Sequence, residues 1–68
     1  MRLLRLSEVL NRTGMGRSKT YEMIAEGKFP QSVPLTGRSV AWVEEEIDEW
    51  ILARIAERDV QAGASDER

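Results

Sequence analysis

Four consecutive polar side chains, Arg17, Ser18, Lys19 and Thr20, follow a glycine-containing turn and begin a predicted helix. A guanidinium group can donate two hydrogen bonds to one guanine edge, and hydroxyl and ammonium groups can contact bases or phosphates. A helix-turn-helix unit presents the first residues of its second helix to the major groove of double-stranded DNA in this way. The run therefore predicts sequence-specific contacts with DNA, with Lys19 as the expected phosphate contact.

A second group of candidate residues surrounds this run. Arg38 and Ser39 lie in a short turn, and an arginine on a protruding turn can enter a narrow minor groove or meet a phosphate. Tyr21 is expected to place its ring in the core and its hydroxyl near a phosphate. Three more basic residues are candidates for contacts with the DNA backbone: Arg5, Arg12 and Lys28. For every candidate, the competing interpretation is an ordinary solvated or core side chain.

The charges are divided unevenly along the chain. Residues 1–43 carry seven basic and three acidic side chains, a net charge of +4, whereas residues 44–68 carry three basic and nine acidic ones, a net charge of −6. The formal charge of −2 for the whole chain hides this asymmetry. The division predicts a basic working surface and an acidic opposite side, which suits a polyanion bound on one side only.

Side chains for catalysis or metal binding are scarce. Cysteine and histidine are absent, which excludes disulfides, thiolate or imidazole metal sites and catalytic centres built on Cys or His. The acidic triplet at residues 44–46 is expected to complement a helix dipole rather than hold a metal. We therefore expect no cofactor, no metal and no enzymatic activity. Trp42 and Trp50 could stack on single-stranded bases, but the apolar spacing around them favours core packing.

Two short helices and the turn between them position the polar run. Ser7 is the predicted N-cap of the first helix, and Gly14 is expected to end it. The second helix is predicted over residues 17–26, because Gly27 follows as a residue suited to a left-handed C-terminal turn. Its buried stripe is predicted at three positions: Tyr21, Ile24 and Ala25.

The remaining elements are a hairpin and a long helix. Apolar residues alternate on both sides of a turn over residues 36–39, which predicts two strands. From about Glu44 to Arg58, apolar residues recur on one side of a helix: Ile47, Trp50, Ile51 and Ile55. The order helix, helix, two-stranded hairpin, helix predicts a mainly α winged helix-turn-helix in which the hairpin is the wing. We expect one DNA-binding domain over residues 1–58 and a flexible acidic C-terminal tail over residues 59–68.

Fragments spread over most of the chain resemble the AlpA family of small phage and prophage regulators, whose DNA-binding domain is similar to those of excisionases and the MerR group. The resemblance covers about residues 3–58 and rests on the order and spacing of these fragments: Leu6–Leu10; Thr13, Gly14, Arg17, Ser18 and Tyr21; Ile24–Pro30; and Arg38–Trp42 with Ile47 and Trp50. It implies a transcriptional regulator of an integrated element, with the second helix in the major groove and the hairpin on the backbone or minor groove. Two positions depart from the family pattern: Gly16, where a serine N-cap is frequent, and Glu22, which is often basic and could accept from a cytosine amino group.

Two other functions would use the same chain differently. An excisionase-like recombination directionality factor would bend attachment-site DNA and direct an integrase through the same contacts. A protein-interaction module would instead dock a partner helix on the apolar ridge of the last helix, where Leu52 lies off the main stripe.

We expect double-stranded DNA as the main partner, self-association on repeated sites, and contacts with an integrase or the transcription machinery. A cytoplasmic, nucleoid-associated location is expected, since no stretch of the sequence has the apolar length of a membrane span.

Overall fold

Three helices and three short strands form the part of the chain that this computed structural model describes, residues 1–64. In chain order they are β1 (Leu3–Leu4), α1 (Leu6–Thr13), α2 (Arg17–Ala25), β2 (Val33–Pro34), β3 (Val40–Val43) and α3 (Glu44–Ala64). The predicted mainly α fold with a β-hairpin is confirmed. The order of the elements is consistent with a winged helix-turn-helix, in which β2 and β3 form the wing.

The sheet contains one strand more than the sequence predicts. Its order is β1-β3-β2, and both pairings are antiparallel. Leu4 lies opposite Trp42 on one side of β3, and Pro34 lies opposite Val40 on the other. Proline has no backbone N–H to donate, and β2 accepts Pro34 because β2 is an edge strand. Through β1, the N-terminal segment ties the wing to the helical body.

The core is a single cluster of five fully or almost fully buried side chains: Leu4, Val9, Phe29, Trp42 and Ile47. These residues come from β1, α1, the segment before β2, β3 and α3, so α2 and β2 are the elements that contribute none. The indole Nε1 of Trp42 donates to the backbone oxygen of Pro30 at 3.1 Å, which satisfies its polar atom inside the core. The prediction that Trp42 packs in the core is confirmed.

Helix α1 begins earlier than predicted. Its N-cap is Arg5, and the Arg5 backbone N–H donates to the carboxylate of Glu8 at 3.2 Å. Ser7 therefore lies inside the first turn, and its prediction as the N-cap is wrong because Glu8 supplies the capping acceptor three residues after Arg5. Gly14 ends the helix as predicted, since its φ of 75° lets its N–H donate to the oxygen of Leu10 at 2.8 Å.

Helix α3 is longer than its predicted span. It continues to Ala64, beyond the end predicted at Arg58, so the first residues of the segment predicted as a tail are helical. Residues 65–68 lie outside the described residues, and the flexibility assigned to the tail stays a prediction. In the described part of the chain, no helix is long and apolar enough to cross a bilayer.

Candidate nucleic-acid interface

The turn between α1 and α2 is held by a threonine at the end of the first helix. The hydroxyl of Thr13 donates to the oxygen of Val9 at 2.9 Å and accepts the backbone N–H of Met15 at 3.3 Å. Met15 also packs against the hydrophobic core. Since both ends of the turn are attached in this way, α2 starts from a fixed position relative to α1.

The start of α2 is polar, exposed and without a side-chain cap. Gly16 occupies the N-cap position and offers no side-chain acceptor, so no capping hydrogen bond reaches the first N–H groups of the helix. Arg17, Ser18 and Lys19 are all exposed. Helix N-termini attract anions through their free N–H groups and their dipole. The uncapped first turn is therefore compatible with a phosphate, a consequence of Gly16 that sequence reasoning missed.

Thr20 faces inward. Its side chain is fully buried, and its hydroxyl donates to the oxygen of Gly16 at 2.8 Å. Its methyl and hydroxyl groups are both enclosed by the protein, and the predicted contact of Thr20 with DNA stays a prediction. Apolar periodicity alone did not reveal this burial, since a buried threonine is acceptable only when a nearby carbonyl accepts its hydroxyl proton.

The inward face of α2 differs from the predicted stripe. Met23 and Ile24 pack against the core together with the buried Thr20. Tyr21 is 45% exposed, and Ala25 is exposed as well. The prediction of Tyr21 and Ala25 as buried residues is therefore wrong, and the Tyr21 ring is not in the core. Ser18 and Tyr21 lie three residues apart on the outward side of the helix, where they are neighbours.

Three arginines have no ion-pair partner among residues 1–64. They are Arg5, Arg17 and Arg38, whereas every other described basic side chain lies within 4 Å of a carboxylate: Arg2, Arg12, Lys19, Lys28, Arg54 and Arg58. The pairs of Lys19 with Glu22 at 3.8 Å and of Lys28 with Glu26 at 3.7 Å are long and exposed. Such pairs contribute little, so both lysines can exchange their partners for phosphates.

Arg12 has an intramolecular role. Its guanidinium contacts the carboxylates of Glu44 at 2.8 Å and Asp48 at 3.2 Å. The hydrogen bond with Glu44 is the main cause that raises the pKa of Arg12 above its ordinary value. These two contacts already occupy the guanidinium, so a contact of Arg12 with DNA would have to replace them. The predicted contact of Arg12 with the DNA backbone stays a prediction.

The wing ends in a tight turn that exposes Arg38. The backbone N–H of Leu35 donates to the backbone oxygen of Ser39 at 2.8 Å, and the backbone N–H of Ser39 donates to the backbone oxygen of Thr36 at 2.9 Å. Gly37 adopts a φ of 58°, in the left-handed region that glycine enters without steric cost. Arg38 is exposed at the tip, while Ser39 is half-buried beside β3. The turn thus presents one cation on a short, hydrogen-bonded support.

Among the described residues, no group of acidic side chains is placed to hold a metal ion. The exposed surface from Arg17 to Tyr21 and the wing tip at Arg38 instead offer guanidinium, hydroxyl and phenol groups. This is the chemistry of hydrogen bonding to phosphates and base edges.

Most of the chain is similar to known proteins. The family model described as "Prophage CP4-57 regulatory protein (AlpA)" matches residues 2–55. "Uncharacterized protein ORF88" of Enterobacteria phage P4 is 46% identical over 57 residues, which cover 84% of this chain and 65% of that protein. "DNA-binding transcriptional activator AlpA" of Escherichia coli (strain K12) is 38% identical over 60 residues, which cover 79% of this chain and 86% of that protein. The match thus spans slightly less than two thirds of the phage P4 protein and most of the E. coli protein.

Proposed function

We propose that this chain, which belongs to the AlpA family of prophage regulatory proteins, binds double-stranded DNA sequence-specifically and regulates transcription from an integrated element. The observation that carries the proposal is the pair of exposed arginines at the first residue of α2 and at the wing tip. Arg17 and Arg38 have no ion pair within the described part of the chain, so neither must break one to bind DNA. The E. coli relative, named as a DNA-binding transcriptional activator, supports the same function.

The proposed docking places the start of α2 in the major groove. Arg17 donates to guanine O6 and N7, and Ser18 contacts a neighbouring base or phosphate. The phenol of Tyr21, on the exposed side of α2, contacts a phosphate. The uncapped backbone N–H groups after Gly16 bind a DNA phosphate at the edge of the same groove.

The wing and the remaining cations hold the backbone. Arg38 enters the adjacent minor groove or binds a phosphate at its edge. Arg5 binds a phosphate beside α1, and Lys19 and Lys28 leave their weak carboxylate partners to do the same. Glu22 lies 3.8 Å from Lys19 in the free chain, and once Lys19 leaves it, Glu22 accepts from a cytosine amino group.

Five exposed basic side chains are available for this interface: Arg5, Arg17, Lys19, Lys28 and Arg38. Strong DNA-binding proteins make about 6–10 phosphate contacts. One copy therefore binds modestly, and useful occupancy requires adjacent copies on repeated sites or a partner such as an integrase or the transcription machinery. We assign the chain no catalytic role, because the AlpA family is a regulatory one. The proposed location is the nucleoid, in the cytoplasm.

Fluorescence anisotropy tests the proposal. The protein is titrated onto labelled DNA tiles from around its own gene and the nearby attachment region, with scrambled competitor DNA and at two salt concentrations. We expect competitor-resistant binding to one tile and a loss of about 1–3 kcal/mol of binding free energy in Arg17→Ala. The matched control is Arg58→Ala, which removes the same charge from an arginine that pairs with Asp59 on α3.

Each outcome of the titration has a defined meaning. Binding that is equally weak on all tiles, disappears with salt and falls equally in Arg17→Ala and Arg58→Ala would overturn the proposal. A preferred tile at a promoter supports transcriptional control. A preferred tile at the attachment sequence would replace that role with the excisionase-like one, which uses the same contacts.

A further inference from the structure

One face of α3 changes from acidic to apolar along its length. At its start, exposed carboxylates stand at Glu45 and Glu49. Beyond them the same face carries Leu52, Ala56 and Val60, spaced four residues apart, with Ile55 at its edge. Leu52 is 62% exposed, Val60 72% and Ile55 39%. We call Leu52, Ile55, Ala56 and Val60 the distal stripe.

The distal stripe points away from the body of the protein. An α-helix has 3.6 residues per turn, so residues 52, 56 and 60 lie on the side of α3 opposite residue 47. Ile47 is the residue of α3 that is completely buried in the core. Leu52, Ala56 and Val60 therefore cannot pack against the core of their own chain, while Ile55, at the edge of the stripe, is partly covered. Three large apolar side chains exposed together on one helix face are a feature of interaction surfaces.

The two carboxylates that flank the distal stripe, Glu57 and Asp59, are each paired with an arginine of the same helix. Arg54 contacts Glu57 at 2.7 Å, and Arg58 contacts Asp59 at 2.9 Å. This part of α3 therefore presents an apolar face with a balanced rim. A surface of this kind does not repel another copy of itself, whereas the acidic start of α3 does.

We propose that the distal stripe pairs with the distal stripe of a second copy of this chain, with the two α3 helices antiparallel and the two-fold axis near Ala56. This arrangement places Leu52 of each copy opposite Val60 of the other. It keeps the two acidic helix starts apart, and it sets the two helix dipoles in opposite directions. A two-fold pairing also buries the same patch on both copies, so neither stripe stays exposed.

The size of the distal stripe sets the strength of this pairing. Four apolar side chains per copy bury far less than the roughly 800 Å² per partner of a standard interface. The pairing is therefore weak between free molecules and becomes effective when two copies are held close together, because proximity raises their effective concentration. Only this last step rests on the proposed function, since adjacent DNA sites are what hold the copies together.

Disulfide cross-linking tests the helix pair without DNA. Because the chain contains no cysteine, a single introduced cysteine reports one position. Ala56→Cys, at the proposed axis, is expected to cross-link at about ten times the yield of Arg58→Cys, since only close Cβ atoms form an unstrained disulfide. Arg58 is exposed two residues away on another face, so equal yields would mean random collision and overturn the proposal.

A mixing experiment tests the direction of the helices. Leu52→Cys mixed with Val60→Cys is expected to give mainly the mixed dimer, because the antiparallel pair brings these two positions together. If each variant cross-links with itself as readily, the helices are parallel and the proposed arrangement is wrong. Circular dichroism of every variant confirms that α3 is retained.

A second arm measures cooperativity on DNA with one or two copies of the preferred site. The native chain is expected to bind two-site DNA about tenfold or more tightly than one-site DNA, and Leu52→Glu with Val60→Glu is expected to remove this gain while one-site binding is unchanged. A gain that persists in the variant would overturn the pairing. Absence of one-site binding by the native chain would count against the proposed function instead, and the cross-linking result would stand separately.

Discussion

The guanidinium of Arg12 lies 2.8 Å from the carboxylate of Glu44 and joins the last turn of α1 to the first residue of α3. The same carboxylate also lies 3.6 Å from Arg2, in the segment before β1. Glu44 thus gathers two basic side chains from the positive half of the chain. The charge asymmetry along the sequence therefore serves two purposes: part of it holds the fold together, and the remainder is left for a ligand.

Arg12→Ala is expected to lower stability without weakening DNA binding. The change removes both contacts of the guanidinium with α3, so we expect the Tm to fall by about a few degrees in low salt. In 1 M NaCl the difference from the native chain should shrink, since salt screens exposed ion pairs. Differential scanning calorimetry measures the Tm, and anisotropy at a temperature where both chains are folded measures affinity. A several-fold loss of affinity there would place Arg12 in the DNA interface.

Thr20→Val is expected to cost about 1 kcal/mol of unfolding free energy, because it keeps the shape of the buried side chain and removes its hydrogen bond to Gly16. The oxygen of Gly16 keeps the backbone N–H of Thr20 as a donor at 3.1 Å, so no buried acceptor is left unpaired. Urea denaturation measures the cost. The matched variant is Ser18→Ala, which should leave stability nearly unchanged and reduce DNA affinity. The opposite pattern for the two residues would contradict the orientation of α2.

Local patterns were sufficient to predict some features of the site and not others. The glycine at position 14 and the polar run after Gly16 identified the turn and the start of α2, because caps and turns depend on neighbouring residues. The hydroxyl of Thr20 is satisfied by the carbonyl of Gly16 four residues earlier, a pairing that apolar periodicity does not register, so the pattern predicts Tyr21 in the core instead. Strand β1 was missed for a related reason: Leu3 and Leu4 form a strand only because β3 provides the partner.

Glu8 should make the fold sensitive to acid. The backbone N–H of Arg5, followed by the guanidinium of Arg2, lowers the pKa of Glu8 below its usual 4.5. A pKa lower in the folded than in the unfolded chain adds stability that is fully present above 4.5 and is lost as the pH falls through the folded value. Glu8→Gln should therefore have a lower Tm than the native chain at pH 7, and the Tm difference should shrink as the pH falls below 4.5 through the folded value.

The comparison of Glu8→Gln with the native chain needs a control for general acid effects. Glu49→Gln serves this purpose, because Glu49 is exposed on α3 and has no ion pair within the described residues. Its Tm should follow that of the native chain over the whole pH range. A Tm difference for Glu8→Gln that does not change as the pH is lowered from 7 would mean that the carboxylate does not stabilise the start of α1.

Gly37→Ala is expected to weaken DNA binding through Arg38. A Cβ at position 37 would meet no atom within 4 Å, so steric contact with the rest of the protein is not the cause. The cost comes from the backbone, because holding an L-residue in the left-handed region at a φ of 58° costs about 1–2 kcal/mol. The turn is expected to relax and move the Arg38 side chain. Gly37→Asn tolerates this region better and should bind almost as the native chain does.

If the effect acts through Arg38, Gly37→Ala should cost no affinity when Arg38→Ala is already present. An additive loss in that double variant, measured by anisotropy on the preferred tile, would show that the wing backbone itself contacts DNA.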